Sequence, residues 1–242
     1  MILLDGKSLS QEIISGLHFV NTSLHVILIG DDPSSLKYVS LKQKICLEVG
    51  VNFTLHHLKD DSTLPNLINQ LNNDPTVDGF FIQLPIKNKE LLKLIDPSKD
   101  VDGLNPQSSF TPAVVIGIIK LLEHYHLDFT NKKIVIVNDS DLVGKPLKKH
   151  FNSAILCNDQ ISNLSAITQT ADLLISATGV KNIITADMVK SGAVVVDVAN
   201  GDVEFTNVAP KCSYITPTFG GIGPMTIASL LYNLSLIKIN HG

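Results

Sequence analysis

The sequence predicts an α/β protein of two domains built on parallel sheets. Three observations carry this. Short apolar runs alternate with longer segments of helical period from residue 24 onward. Glycines and acidic turns stand at the carboxyl ends of those runs, and a second strand–turn–helix series restarts at residue 133 after a long apolar helix. Functional groups of such sheets gather at the carboxyl ends of the strands, so those turns hold the candidate residues.

The first 20 residues predict an opening helix from about Ser8, and a strand over 24–29 ends at Gly30. In the stretch GDDPSSLKYVSLKQKICLEVG, Asp32 can cap a helix by accepting a backbone N–H that the first turn leaves unpaired. Pro33 suits the first helical position, where its missing donor costs nothing. The helix is expected over 33–49. Leu36, Val39 and Cys46 form its apolar stripe, while Tyr38 and Lys42, one turn apart, share a different face. A strand over 52–58, a helix over 64–71, a strand over 79–84 and a short helix over 89–94 follow. The strand over 79–84 carries one amide, Gln83, ahead of Pro85, and Lys99-Asp100-Val101-Asp102-Gly103 is an acidic turn. Gly30, Gln83 and Asp102 all fall at strand ends. A lysine beside a tyrosine is ordinarily a solvated face; here an amide and a carboxylate stand in reach of it.

A long apolar helix over 113–125 leads into the second series. The strand over 133–137 runs into Asn138-Asp139-Ser140-Asp141-Leu142-Val143-Gly144-Lys145-Pro146, which reads as the first strand-to-helix turn of a dinucleotide-binding fold. Strands are expected over 153–156, 172–176, 193–198 and 213–215. The last segment, 223–239, is an apolar helix opening with Pro224.

Composition narrows the function classes. With 44% hydrophobic and 17% charged residues the 242-residue chain can bury a core. Its net charge of −4 with scattered lysines argues against a nucleic-acid partner. No apolar run reaches a membrane span, the first residues lack a secretory pattern, and the expected location is the cytoplasm. Cys46, Cys157 and Cys212 have no close pair and the eight histidines no ligand spacing, so neither a disulfide framework nor a metal is expected.

Together YVSLK, QLP, KDVDG and the C-terminal GGIGPMT resemble, in order and from Asp5 to Asn233, the bifunctional methylenetetrahydrofolate dehydrogenase/methenyltetrahydrofolate cyclohydrolase family, called FolD in bacteria. That resemblance implies an N-terminal three-layer α/β folate and catalytic domain (1–112 plus 223–242), with the C-terminal helix returning to it. A Rossmann-type dinucleotide-binding domain (113–222) completes the chain, with folate between the two. It implies oxidation of 5,10-methylenetetrahydrofolate with NADP, hydrolysis of the methenyl product to 10-formyltetrahydrofolate, and a homodimer. Lys42 is then the central catalytic group, its amine shifted by burial so that it exchanges a proton with water. Gln83 holds that amine, Tyr38 packs on the folate, and Asp102 accepts from the pterin N–H groups. Ser35, Gly220, Gly221 and Pro224 are substrate-binding candidates; glycines at a turn are commonly structural, but the match of GGIGPMT to the family favours a folate or nicotinamide contact.

The cofactor half departs from the family. Asn138, Asp139 and Ser140 stand where glycine, a variable or basic residue and serine are usual, while Val143, Gly144 and Pro146 are kept. Asn138 is expected to keep the turn by adopting the left-handed conformation. Asp159 replaces a basic or hydroxyl-rich segment, and an acid there bonds a ribose 2′-hydroxyl and rejects a 2′-phosphate. Asp139 and Asp159 therefore point to NAD over the family's NADP. Asn200 lies in an altered stretch of the same half, and Phe219 replaces the usual proline before the paired glycines. A cyclohydrolase that has lost hydride transfer, and a non-catalytic folate- or partner-binding homologue, stand as alternatives.

Overall fold

The computed structural model describes residues 1–240, and its strands and helices alternate as the apolar pattern requires. Two compact units emerge, one of residues 12–113 and 227–242, the other of residues 1–11 and 114–226.

The first is a three-stranded parallel sheet with β2 (Thr22–Ile29) between β3 (Val51–Leu58) and β4 (Gly79–Ile82). Every residue of β4 is buried, as are Leu24, Val26, Ile27 and Leu28 of β2, the near-continuous apolar run of strands covered on both faces. Helix α2 (Pro33–Glu48) starts as predicted, with the Asp32 side chain accepting from Ser35 N at 2.7 Å. Helix α3 (Leu64–Asn73) buries Leu64, Ile68 and Leu71 on one stripe. The expected helix over 89–94 is a 3-10 segment, Lys89–Leu94.

The second unit is a six-stranded, all-parallel sheet. Its strands are β5 (Ile134–Val137), β6 (Ile155–Cys157), β7 (Leu173–Ser176), β8 (Val194–Asp197), β9 (Tyr214–Ile215) and β1 (Ile2–Leu3), in the order β1-β9-β8-β7-β5-β6. From β5 the chain goes to β6 on one side and then to β7 on the other, so the carboxyl ends of β5 and β7 make a topological switch point. Helix α4 (Ala113–His124) precedes this series, and α5 (Gly144–His150), α6 (Leu164–Thr168) and α7 (Phe205–Val208) connect it. The core gathers Val135, Leu174, Val195 and Ile215 from four strands.

Residues 1–11 fall in the six-stranded unit and not in the folate half where the expected division put them. The cause is β1, a two-residue edge strand too short for a periodicity signal, which pairs with β9. Helix α1 (Gly6–Ser15) accordingly starts two residues before Ser8, where Asp5 accepts from Ser8 N at 3.0 Å and Ser8 Oγ at 2.6 Å. The last helix, α8 (Ile222–Asn240), contributes to both units. None of the described helices is long and apolar enough to cross a membrane.

Candidate functional site

The buried positions of α2 are Ser35, Val39, Lys42 and Cys46, a run of i, i+4, i+7 and i+11. This corrects the expected stripe of Leu36, Val39 and Cys46: Leu36 is half-buried, and Lys42, 2% exposed, lies on the apolar face instead of a different one. A hydrophobicity pattern assigns an ammonium to water by default. It takes the partners in space to override that.

Those partners come from three places. On β4 the strand alternation puts Phe81 and the following Gln83 on one face. Lys42 Nζ lies 4.0 Å from the Phe81 ring centroid and 4.9 Å from that of Tyr38, and it donates to Gln83 Oε1 at 3.2 Å. The amide is fixed in turn: Gln83 N donates to Ile27 O at 2.8 Å and Gln83 Nε2 to Leu84 O at 2.9 Å, which leaves its oxygen for the amine. The acidic turn runs beside β4 through a parallel bridge between Phe80 and Asp100, and so delivers Asp102 Oδ2 to 3.9 Å from Lys42 Nζ. That is an ion-pair distance, too long for a hydrogen bond. The structure thus brings together Lys42, Tyr38, Gln83 and Asp102, with Ser35 on the buried face of the same helix. Sequence reasoning missed Phe81, although the period-2 pattern from Gln83 points to it.

Burial is the largest influence on both charged groups. It lowers the proton affinity of Lys42, against the opposing pull of Asp102 and Cys46, and raises that of Asp102, against the pull of Lys42. At ~4 Å and an effective dielectric of ~20 the pair attracts by ~4 kcal/mol. Removing an ion from water costs several kcal/mol. The burial cost is the larger, so the proton affinity of the amine lies below its ordinary value, while the aromatic faces of Phe81 and Tyr38 favour the cation without hydrogen-bonding to it. The Cys46 thiol, pushed up to about 12 chiefly by burial, stays protonated beside them. Asp100, two residues before Asp102, is fully buried and pushed up to about 6 by burial, with Oδ2 accepting from Asn105 N at 2.7 Å and Oδ1 unpaired.

In the six-stranded unit the turn after β5 is closed by a side chain. Asn138 Oδ1 accepts from Ser140 N (2.9 Å), Ser140 Oγ (2.6 Å) and Gly144 N (3.0 Å), and Ser140 Oγ accepts from Val143 N at 3.2 Å. Across the switch point Asn138 Nδ2 donates to Ala177 O at 2.7 Å. Asn138 is not among the positive-φ residues, so the expected left-handed turn is corrected: the carboxamide replaces the missing glycine by hydrogen bonding. A Cβ on Gly144 would stand 2.1 Å from Asn138 O, and only glycine permits so close an approach of α5 to the turn. Strand order, switch point and glycine cradle suit a dinucleotide. Asp139 Oδ2 accepts from Asn158 Nδ2 at 2.9 Å, bridging the ends of β5 and β6, while Asp159 is exposed beyond it.

Asn200, exposed at φ +60°, follows β8 with its amide near Gly223. Gly220 accepts from Lys7 N at 2.8 Å, Gly221 abuts Gly6, and Pro224 lies in the first turn of α8. These contacts are structural ties within the unit. Sequence reasoning also missed Asp202, whose buried carboxylate gathers Ser176 Oγ, Thr178 N, Thr178 Oγ1 and Gly179 N and so shapes the turn after β7. An Asp in an irregular segment gives no sequence signal of that.

Residues 4–102 match the tetrahydrofolate dehydrogenase/cyclohydrolase catalytic domain, and residues 112–241 the NAD(P)-binding domain of the same family. The chain is 42% identical to the bifunctional protein FolD of Wolinella succinogenes, over 96% of this chain and 95% of that protein. With the Helicobacter hepaticus protein of the same name it shares 41% over the same fractions. The crystal structure of the bifunctional FolD dehydrogenase/cyclohydrolase from Campylobacter jejuni superposes with a TM-score of 0.90 at 38% identity, covering all of both chains.

Proposed function

The chain belongs to the tetrahydrofolate dehydrogenase/cyclohydrolase family, and from that premise we propose that Lys42, held by Gln83 and faced by Asp102, performs the proton chemistry of its two reactions. Those reactions are oxidation of 5,10-methylenetetrahydrofolate to the methenyl form with NAD(P), and hydrolysis of that product to 10-formyltetrahydrofolate. The observation that carries the proposal is a lysine amine 2% exposed, 3.2 Å from an amide oxygen and 3.9 Å from a carboxylate.

In hydrolysis, water's oxygen bonds to the methenyl carbon and one water proton passes to the neutral Lys42 amine. The bond from that carbon to N5 then breaks as N5 takes a proton, leaving the formyl group on N10 and one proton released. An amine of ordinary basicity is protonated and cannot accept; burial lowers that basicity and brings the neutral form closer to reach. Asp102 orients the pterin through its N–H groups, and Tyr38 packs on the folate. Ser35, Gly220, Gly221 and Pro224 complete the substrate contacts by resemblance. A bound dinucleotide supplies the hydride acceptor for the methylene carbon. Asn138, Ser140, Val143 and Gly144 hold it at the switch point, and Asn200 flanks them.

We further infer that NAD is preferred, and that Asp139 decides it with Asp159 behind it. A carboxylate clasped to Asn158 across the ends of β5 and β6 accepts from a ribose hydroxyl and repels a 2′-phosphate. A homodimeric assembly and a cytoplasmic location belong to the same reading, by resemblance to the family.

The test is cofactor reduction with 5,10-methylenetetrahydrofolate, run with NAD and with NADP, alongside consumption of methenyltetrahydrofolate. Expected are both activities, faster turnover with NAD, and loss of hydrolysis in Lys42→Ala. Hydrolysis that survives in Lys42→Ala overturns the assignment of the amine. Equal or faster turnover with NADP overturns the cofactor reading.

A further inference from the structure

Asp102 is presented by a loop that two segments form side by side. Gly103 N donates to Asp100 O at 3.0 Å, and the chain turns there at φ +69°. The returning segment lies so close that a Cβ on Gly103 would stand 2.6 Å from Pro112 Cα. One rung joins the segments directly, Ala113 N donating to Asp102 O at 3.1 Å. The second tie comes from outside the loop. Asn233, on α8 and 1% exposed, donates its Nδ2 both to Val101 O at 2.9 Å and to Thr111 O at 3.1 Å. Val101 directly precedes Asp102, and Thr111 sits on the opposite limb. A single carboxamide therefore staples the loop at the base of the carboxylate that faces Lys42.

We propose that Asn233 is a positioning residue for the folate reactions, holding the Asp102 carboxylate at its working distance from Lys42 and from the pterin. The proposal rests on the roles assigned above to Lys42 and Asp102. An apolar residue at 233 leaves two buried carbonyls without their donor, and the loop relaxes to seek others. The groups facing Lys42 are Asp102 from the loop, Gln83 and Phe81 from the sheet, and Tyr38 and Cys46 from its own helix. Of these only Asp102 is a carboxylate, so its withdrawal removes the main support of the lysine cation.

The experiment compares wild type, Asn233→Leu and Asp102→Asn at a temperature where circular dichroism shows each folded. Kinetic constants for both activities, pH profiles of hydrolysis and calorimetric tetrahydrofolate affinity are measured. In Asn233→Leu the folate KM of both activities is expected to rise about tenfold, the scale of one good hydrogen bond. The dinucleotide KM should stay unchanged. The pH limb assigned to Lys42 should move to lower pH, in the same direction as in Asp102→Asn. A residue that merely filled space would lower thermal stability and leave that limb in place. Should leucine prevent folding, Asn233→Ala gives the same comparison, and failure of both to fold would mark a residue of the fold and overturn the proposal. Active wild type with a dead Lys42→Ala and normal constants in the Asn233 variant would overturn this inference alone. Wild type with neither activity nor folate binding would overturn the reading of the site and this inference with it.

Discussion

The carboxyl ends of the two sheets are built on opposite plans. At β2 and β4 the chemistry-bearing groups are taken out of water: Lys42 is buried against Phe81, and Asp100 is buried beside the loop that carries Asp102. At β5 and β6 the polar groups are satisfied by one another, with Asn138 closing its own turn and Asp139 clasped to Asn158 at the surface. The first plan spends stability to shift proton affinities, which proton transfer needs. The second joins its polar groups to one another and shapes a backbone cradle. A cradle tolerates substitutions that keep its hydrogen bonds. A displaced amine has no such tolerance.

Lys42→Met breaks the first plan most severely. Hydrolysis of methenyltetrahydrofolate is expected to fall by about 10³-fold, within the span of general acid–base contributions, while dinucleotide affinity holds. Thermal stability should fall, because Asp102 loses its charge partner and Gln83 Oε1 its donor in a site closed to water. A stopped hydrolysis assay and a thermal melt check both halves of this prediction.

Asp100 tests the same plan through stability. Its folded-state carboxyl is pushed up to about 6 from 3.8 by burial. Between those values the folded protein holds more protons than the unfolded one, so stability falls as pH rises through the window and levels off above it. At 1.36 kcal/mol per unit the fall is about 3 kcal/mol at most. Asp100→Asn should abolish this slope, and melts across the acidic range read it directly.

The legibility of the sequence divides along the same line. Helix α2 was readable to its cap because Asp32 and Pro33 act locally, and the strands ending at Gly30 and Gln83 because apolar runs act locally as well. Gln83 and Asp102 could be placed at strand ends and Tyr38 and Lys42 on one face of a helix; burial of the amine followed only from the family resemblance, because its partner Phe81 comes from a strand about 40 residues away. Asn138 was legible as a turn residue and misread in means: its tolerance of left-handed backbone is a property of the residue, whereas the bonds it makes to Gly144 and Ala177 are properties of the fold. Strand β1, Asp202 and Asn233 had no signal, each being two residues or one, with partners far along the chain.

Asn138→Ala breaks the second plan where it is most connected. Four hydrogen bonds go at once, among them the tie to Ala177 across the switch point. At about 0.5–1.5 kcal/mol each, and with the loop free to recover some through water, a net loss of about 2 kcal/mol is expected. The KM for dinucleotide should rise roughly tenfold or more while hydrolysis of methenyltetrahydrofolate, which uses no cofactor, keeps its rate. Equal damage to both reactions would show that the two plans are not separable.

The smallest expected effect is the most discriminating. Asp139→Ser removes a carboxylate from the junction of β5 and β6 and leaves a hydroxyl able to donate to a phosphate. Two like charges ~4 Å apart repel by ~1 kcal/mol in water and ~4 kcal/mol at an effective dielectric of ~20. Asp139 is a surface residue, so the lower figure governs and the ratio of kcat/KM for NADP over NAD should rise about five- to tenfold. The shift should shrink as salt is raised, since exposed charges are screened within ~10 Å at 0.1 M. The corresponding change at Asp159, whose carboxylate stands beyond the Asp139–Asn158 bond, should move the ratio less. A larger effect at Asp159 would place the ribose on the β6 side of the junction and transfer the specificity role to that residue.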